Sequence, residues 1–131
     1  MLLVEEMEPG DPAATWMLPG GRLEPEETLT EGFRRELVEE TGLRLAEHPA
    51  IAFAVDIVRA DGRYSAITFD CDAEGAVAPD DPDGLVLSAE WLETDEALRR
   101  LARITWYDCL PLERFLSGDA PPGTVYVADR R

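Results

Sequence analysis

The sequence predicts a protein of the α/β class, because short apolar strands and amphipathic helices follow one another along the chain. Apolar residues alternate with smaller or polar residues from Ile51 to Ile57, which is typical of a half-buried strand. The dipeptide Asp61-Gly62 follows as a hairpin signal. Leu29, Phe33 and Leu37 recur at i, i+4 and i+8, the spacing of one apolar stripe on a helix.

The composition is that of one folded, water-soluble domain. A length of 131 residues is enough for a single core, and 45% hydrophobic with 31% charged residues is ordinary for a globular chain. The apolar runs are too short to span a bilayer. Met1–Val4 is followed at once by Glu5 and Glu6, so the start lacks the basic region of a signal peptide. We therefore expect a cytoplasmic protein without a membrane partner.

The charge balance limits the partners. Twelve basic against 28 acidic residues give a net charge of −16, which argues against binding a nucleic-acid polymer. A polyphosphate substrate would also be repelled unless cations intervene, so a metal requirement makes physical sense. The only cysteines are Cys71 and Cys109, and His48 is the only histidine. These residues exclude the usual structural zinc sites, and we expect two reduced thiols.

The first part of the chain predicts two short strands and a turn. Leu2-Leu3-Val4 is the first apolar run, and the loop from Glu8 to Ala14 is broken by proline and glycine. Trp16-Met17-Leu18 is the second run, and it ends at Pro19-Gly20-Gly21. A glycine-rich turn therefore precedes the main helix.

The main helix has predictable ends and one acidic side. Thr28 and Glu31 have the spacing of a capping box, and Gly42 stands where a left-handed residue ends a helix. Glu36 and Glu40 are four residues apart, and Glu39 lies one turn from Glu36, so all three carboxylates project from one side. Two readings follow: a solvated helix face, or a site at which a cation relieves the mutual repulsion.

The remaining elements are predicted in chain order. A return strand is predicted at Tyr64–Cys71, an acidic loop at Asp72–Gly84, and one or two short strands within Leu85–Leu92. A helix is predicted from Thr94, with Ala97, Leu98 and Leu101 on its inner face. A further helical piece near Tyr107–Leu116 is predicted to bury Leu112, Phe115 and Leu116, and an edge strand is predicted at Val125–Val127.

The stretch from Gly21 to Leu43 resembles the Nudix box, G-x5-E-x7-R-E-U-x-E-E-x-G-U, where U is aliphatic. Every specified position is met, by Gly21, Glu27, Arg35, Glu36, Leu37, Glu39, Glu40, Gly42 and Leu43. The resemblance implies an α/β/α sandwich with a mixed sheet. Such domains usually have one strand before the strand at Leu2, and this chain lacks it. We expect a homodimer partner to cover the open sheet edge.

The resemblance also implies roles for the box residues. Glu36 and Glu40 would be the main ligands of Mg²⁺ or Mn²⁺, and Glu39 would be either a third ligand or the group that activates water. Arg35 would orient a box carboxylate, and Gly21 would bring the backbone close to the metal. Two departures from the common pattern concern substrate-side geometry: Glu26 replaces a frequent glycine, and Gly32-Phe33 replaces a small pair.

Three further residues have two open readings each. Glu24 contacts either the metal or only the turn. Glu90 serves either as a base or ligand or as a solvated residue before a strand. Arg22 either binds a phosphate or lies in solvent. Six aromatic residues could stack on a base, but core packing is the better reading for each: Phe53, Tyr64, Phe69, Trp91, Trp106 and Tyr107.

The function implied by the resemblance is metal-dependent hydrolysis of a diphosphate bond in a small nucleoside diphosphate derivative. A nucleoside triphosphate, a nucleotide sugar or a dinucleotide would each qualify. The alternative is a nucleotide-sensing or protein-interaction module without hydrolysis. The complete box favours the enzyme, because non-catalytic members commonly lack part of it. A diphosphate-ester isomerase is disfavoured, since such relatives carry additional histidine and cysteine ligands.

Overall fold

The computed structural model describes residues 1–104 and 108–131. Its elements in chain order are β1 (Leu2–Glu6), β2 (Thr15–Met17), α1 (Leu29–Thr41), β3 (Arg44–Leu45), β4 (Ala50–Arg59), β5 (Gly62–Asp70), β6 (Ala73–Glu74), β7 (Val86–Trp91), α2 (Thr94–Leu101), α3 (Leu110–Ser117) and β8 (Thr124–Arg130). This order of strands and helices confirms the predicted α/β class.

Two compact units are formed, Met1–Ala46 with Ala73–Tyr107, and Glu47–Asp72 with Asp108–Arg131. The assignment of the whole chain to one domain stays a prediction. None of the helices in residues 1–104 and 108–131 is long and apolar enough to cross a membrane. Cys71 and Cys109 are free thiols, as expected.

The first unit is built around β1. This strand lies between β2 and β7 and pairs antiparallel with both, so hydrogen-bonded neighbours flank it on each side. Leu3 and Val4 of β1 are completely buried. Helix α1 contacts β3 and β7, helix α2 contacts β2, and β3 pairs with β6 in a small second sheet. The strand that precedes the glycine turn and the box helix are thereby fixed in one framework.

The second unit is a mixed three-stranded sheet with one helix. Strands β4 and β5 form the predicted antiparallel hairpin, closed where Arg59 pairs with Gly62. Strand β8 pairs with β4 in parallel, so the predicted mixed sheet is confirmed, and β8 is an edge strand as expected. Phe53 is 3% exposed and contacts the rings of Phe115 and Tyr126, at 6.4 and 6.3 Å between centroids.

Several details differ from the sequence-based expectations. Leu29 is 37% exposed, because it is the first residue of α1, and the buried side of that helix carries Gly32, Leu37, Glu40 and Thr41 instead. Leu116 is 42% exposed near the end of α3. Ile51 is 43% exposed, because the pairing of β4 shifts register between Ile51 and Phe53.

The acidic stretch 72–84 is more structured than predicted. It includes β6, and its backbone bonds to α1: the Ala78 N–H donates to the Thr41 carbonyl and the Asp80 N–H donates to the Glu39 carbonyl, both at 2.9 Å. The short strands expected within 85–92 are the single strand β7.

Of the aromatic residues interpreted as core, Phe53 is buried, whereas Tyr64 and Trp91 are 45% and 58% exposed. Trp106 and Tyr107, and with Tyr107 the predicted start of the third helix, lie outside the described residues.

Candidate active site

The ends of α1 are fixed as the sequence predicts. The Thr28 N–H donates to Glu31 Oε2 at 2.8 Å, and the Glu31 N–H donates to Thr28 Oγ1 at 3.3 Å, which completes the capping box. At the other end Gly42 has a φ of 76° and donates its N–H to the Val38 carbonyl at 2.8 Å. The helix therefore begins and ends where the sequence predicts.

Arg35 joins three carboxylates of the box. Its Nε and Nη2 atoms donate to the two oxygens of Glu27 at 2.7 and 3.0 Å, and Nη1 donates to Glu36 Oε1 at 2.9 Å and to Glu39 Oε2 at 3.3 Å. Nη2 also donates to the Arg22 carbonyl at 3.1 Å. The bidentate contact lowers the pKa of Glu27 to about 2. Arg35 therefore holds the loop before the helix against Glu36 and Glu39.

Glu40 is an acidic residue in a buried position. It is 6% exposed, and its Oε2 accepts the Gly20 N–H at 2.8 Å. Burial, with the negative charges of Glu6 and Glu36, raises the pKa of Glu40 to about 8. Among the described residues, no arginine forms an ion pair with it.

The glycine turn lies directly against Glu36. A Cβ added to Gly21 would lie 2.5 Å from Glu36 Cδ and 2.9 Å from Oε2. Both distances are shorter than real Cβ contacts, so a larger residue at this position would force the Glu36 carboxylate, the end of a flexible side chain, to move. The turn is also tied to Glu40 through the Gly20 N–H. The structure thus brings Gly21, Glu36 and Glu40 together, with Gly20 beside them.

The three weaker candidates lie in other surroundings. The Glu24 side chain is 66% exposed, with its Oε1 4.0 Å from Arg35 Nε, and its N–H donates to Glu27 Oε2 at 2.9 Å. Arg22 is exposed and is tied to Arg35 through its carbonyl. Glu90 is 48% exposed, pairs with Leu3 in the sheet and forms a 3.5 Å ion pair with Arg100. These contacts do not join Glu90 to the box carboxylates.

Glu6 is a neighbour of Glu40 that sequence reasoning missed. It is the last residue of β1, it is half-buried, and its carboxyl group hydrogen bonds to that of Glu40. Burial and the nearby charges of Asp81, Glu8 and Glu36 raise the pKa of Glu6. The sequence offers one signal, a carboxylate at the end of an apolar strand. Its contact with a helix 34 positions later becomes visible only in the fold.

The side chains of the candidate site offer the donor atoms that divalent cations prefer. These donors are carboxylate oxygens, the ligand type that Mg²⁺ and Mn²⁺ favour. Glu6, Glu36 and Glu40 repel one another, and the contact with Gly21 leaves no room for a side chain beside Glu36. Within residues 1–104 and 108–131, no three acidic, cysteine or histidine side chains are placed as a ready-made metal-binding group. Glu36 and Glu40 nevertheless fit a metal ion by donor type, and Glu40 has no arginine partner among the described residues.

Known proteins resemble this chain in sequence and in fold. The model of the NUDIX domain family matches residues 1–111. A MutT-like protein of Streptomyces ambofaciens is 34% identical over 90 residues, which are 69% of this chain and 55% of that protein. The chain thus spans about half the length of this curated relative.

Two solved structures are similar over most of the chain. A NUDIX hydrolase from Nitrosomonas europaea is 26% identical with a TM-score of 0.73, and the match covers 92% of this chain and 82% of that one. A MutT protein from Methanosarcina mazei Go1 is 28% identical with a TM-score of 0.60, covering 92% of this chain and 85% of that one.

The mixed α/β fold of this chain is shared with these NUDIX and MutT structures. The chain belongs to the Nudix family. Other members of this family generally hydrolyse small nucleotides in which a nucleoside diphosphate is linked to another moiety, and they generally use divalent metal cations. The resemblance stated from the box is therefore confirmed, together with the fold class.

Proposed function

We propose that this protein is a divalent-metal-dependent diphosphohydrolase acting on a small nucleoside diphosphate derivative, such as a nucleoside triphosphate, a nucleotide sugar or a dinucleotide. Water would attack one phosphorus of the diphosphate, and the bridging P–O bond would break. The products would be a nucleoside monophosphate and a second phosphorylated compound. The observation that carries the proposal is the buried Glu40 carboxylate beside the glycine turn and Glu36, with no arginine to neutralise it among the described residues.

The proposed roles follow from the contacts of the box. Glu36 and Glu40 would hold Mg²⁺ or Mn²⁺, and Gly21 would allow the backbone of the turn to lie close to the ion. Such an ion, when bound, neutralises phosphate charge and acidifies water. Glu39, whose carboxylate is 3.3 Å from Arg35 Nη1, is proposed as a third ligand or as the group that accepts the proton from the attacking water. Arg35 would position Glu36 and Glu39 through its fixed fork of donors.

Roles are also proposed for three residues with fewer contacts to the box carboxylates. Exposed Arg22 stands next to the glycine turn and is proposed to contact a substrate phosphate. Glu24, at the rim of the Arg35 network, is proposed as an outer metal contact. Glu90 is proposed as a base only if substrate binding releases it from Arg100. A homodimer and a cytoplasmic location stay predictions, and sedimentation velocity of the purified chain tests the first.

The test is product release from a panel of nucleoside triphosphates, ADP-ribose, dinucleoside polyphosphates and nucleotide sugars, with Mg²⁺ and with chelator. We expect metal-dependent cleavage of one class. Glu36→Gln and Glu40→Gln should each lower kcat/KM at least about a hundredfold, because each removes a charged ligand at a position where even supporting residues matter. Glu47→Gln, at an exposed residue, is the control for the loss of one negative charge.

Two results would contradict the proposal. Full turnover in Glu36→Gln or Glu40→Gln would exclude the assigned ligand. Absence of turnover over the whole panel, in a folded protein that binds metal, would favour the nucleotide-sensing or interaction module instead.

A further inference from the structure

The end of β1 presents two neighbouring glutamates to different surroundings. Glu5 pairs with Ser88 of β7, and its Oε2 accepts the Ser88 hydroxyl at 3.0 Å. The register then shifts, so that Glu6 pairs with Val86. A shift of this kind interrupts the regular pairing of the strand at its end. The carboxyl group of Glu6 contacts that of Glu40 on the box helix.

The Glu6–Glu40 contact brings two acidic side chains together. In the described part of the chain, the ion pairs of the arginines leave both carboxylates out. The other charged groups that act on Glu6 are Glu8, Glu36 and Asp81, all of them acidic. Carboxylates in contact repel one another, and a cation bound between them would relieve that repulsion.

Asp81 is not equivalent to Glu6 in this cluster. Its Oδ2 already accepts the N–H groups of Leu85 and Val86, at 2.8 and 3.1 Å, so it serves to order the loop before β7. Glu40 Oε2 accepts the Gly20 N–H, which fixes that carboxylate next to the turn. The side chain of Glu6, by contrast, hydrogen bonds to the carboxyl group of Glu40. Glu6 belongs to β1, the central strand of its sheet.

We propose that Glu6 is a further ligand residue of the divalent metal site, contributed by β1 rather than by the box helix. The proposal rests on the proposed function, because it requires the metal site at Glu36 and Glu40. A strand residue adds a donor that does not depend on the rotation of the helix. It also raises the negative charge that binds the ion, at the expense of repulsion in the metal-free protein.

The experiment measures Mn²⁺ binding to the full chain by electron paramagnetic resonance of the free ion, and the rise in Tm on adding Mg²⁺. Glu6→Gln keeps the size of the side chain and removes its charge. We expect its Kd for Mn²⁺ to increase at least about tenfold and its Tm response to Mg²⁺ to shrink. Glu5→Gln is the matched control, with the same charge change on the adjacent residue, and should stay within about twofold of the wild type.

Two further variants separate the alternatives. Glu40→Gln reports on the metal site of the proposed function, and Glu6→Asp keeps the charge while withdrawing it by one methylene, which should also weaken Mn²⁺ binding. Thermal unfolding with chelator establishes that each variant is folded. Weak binding by Glu6→Gln and Glu6→Asp, with Glu5→Gln unaffected, supports the proposal.

Three outcomes overturn it. If Glu40→Gln binds Mn²⁺ weakly while both Glu6 variants match the wild type, Glu6 is not a ligand and the proposed function stands. If Glu5→Gln loses as much affinity as Glu6→Gln, the effect is one of general charge. If the wild-type chain binds no Mn²⁺ at all, the metal site of the proposed function fails, and this inference fails with it.

Discussion

The metal-free protein should lose stability as the pH rises from about 5 to 8, and Glu40→Gln should remove most of that loss. Burial raises the pKa of Glu40 from 4.5 to about 8 in the folded chain. Between these two values the folded state binds more protons than the unfolded state, so the free energy of unfolding falls with increasing pH. The stabilising contribution of the protonated carboxyl is complete below pH 4.5 and is lost as the pH passes 8.

The size of the effect follows from the same difference. A displacement from 4.5 to about 8, at 1.36 kcal/mol per unit, sets an upper limit of about 5 kcal/mol. Contact with Glu6 divides the proton between two groups, so we expect a change on the order of 2 to 4 kcal/mol. For a chain of this length, that corresponds to a fall in Tm of roughly 5 to 15 °C.

The measurement is thermal unfolding in chelator at pH 5, 6, 7 and 8, for the wild type, Glu40→Gln and the charge-matched Glu47→Gln. Carboxylates with lowered pKa, such as Glu27 at about 2, act below this window and with the opposite sign. Saturating Mg²⁺ should flatten the wild-type profile, since a bound cation replaces the proton. A flat or rising Tm in the metal-free wild type, or a Glu40→Gln profile as steep as that of Glu47→Gln, would refute the reasoning.

Three other changes test the turn and the box network. Glu26 has a left-handed φ of 74°, so Glu26→Gly should raise the free energy of unfolding in urea by about 0.5 to 1 kcal/mol; no gain would mean that the strain is absent. Gly21→Ala should displace Glu36 and weaken Mn²⁺ binding at least about tenfold, with little change in metal-free Tm, and unchanged binding would show that the turn does not set that carboxylate. Arg35→Lys should lower kcat/KM roughly 10- to 100-fold. A lysine cannot form the bidentate contact with Glu27 and also bridge the carboxylates of Glu36 and Glu39. Turnover equal to the wild type would exclude a positioning role for Arg35.

Local signals in the sequence predicted most elements but not every buried face. The capping box at Thr28 and the glycine stop at Gly42 are decided by neighbouring residues, so both were predictable. The exposure of Ile51 was not, because a register shift within β4 depends on its partner strands. The Glu6–Glu40 contact was also out of reach, since it joins a strand to a helix across 34 positions and no periodicity encodes it.

The buried side of α1 explains why the apolar stripe was predicted imperfectly. A helix selected only for stability would place an aliphatic residue where Glu40 is buried, and it would gain the free energy of that apolar contact. This helix instead buries a carboxylate against a second carboxylate and a backbone N–H. A sequence usually departs from its own folding pattern in this way where function requires it. The instability that a metal-free Glu40 imposes is therefore the same property that would make a divalent cation bind there.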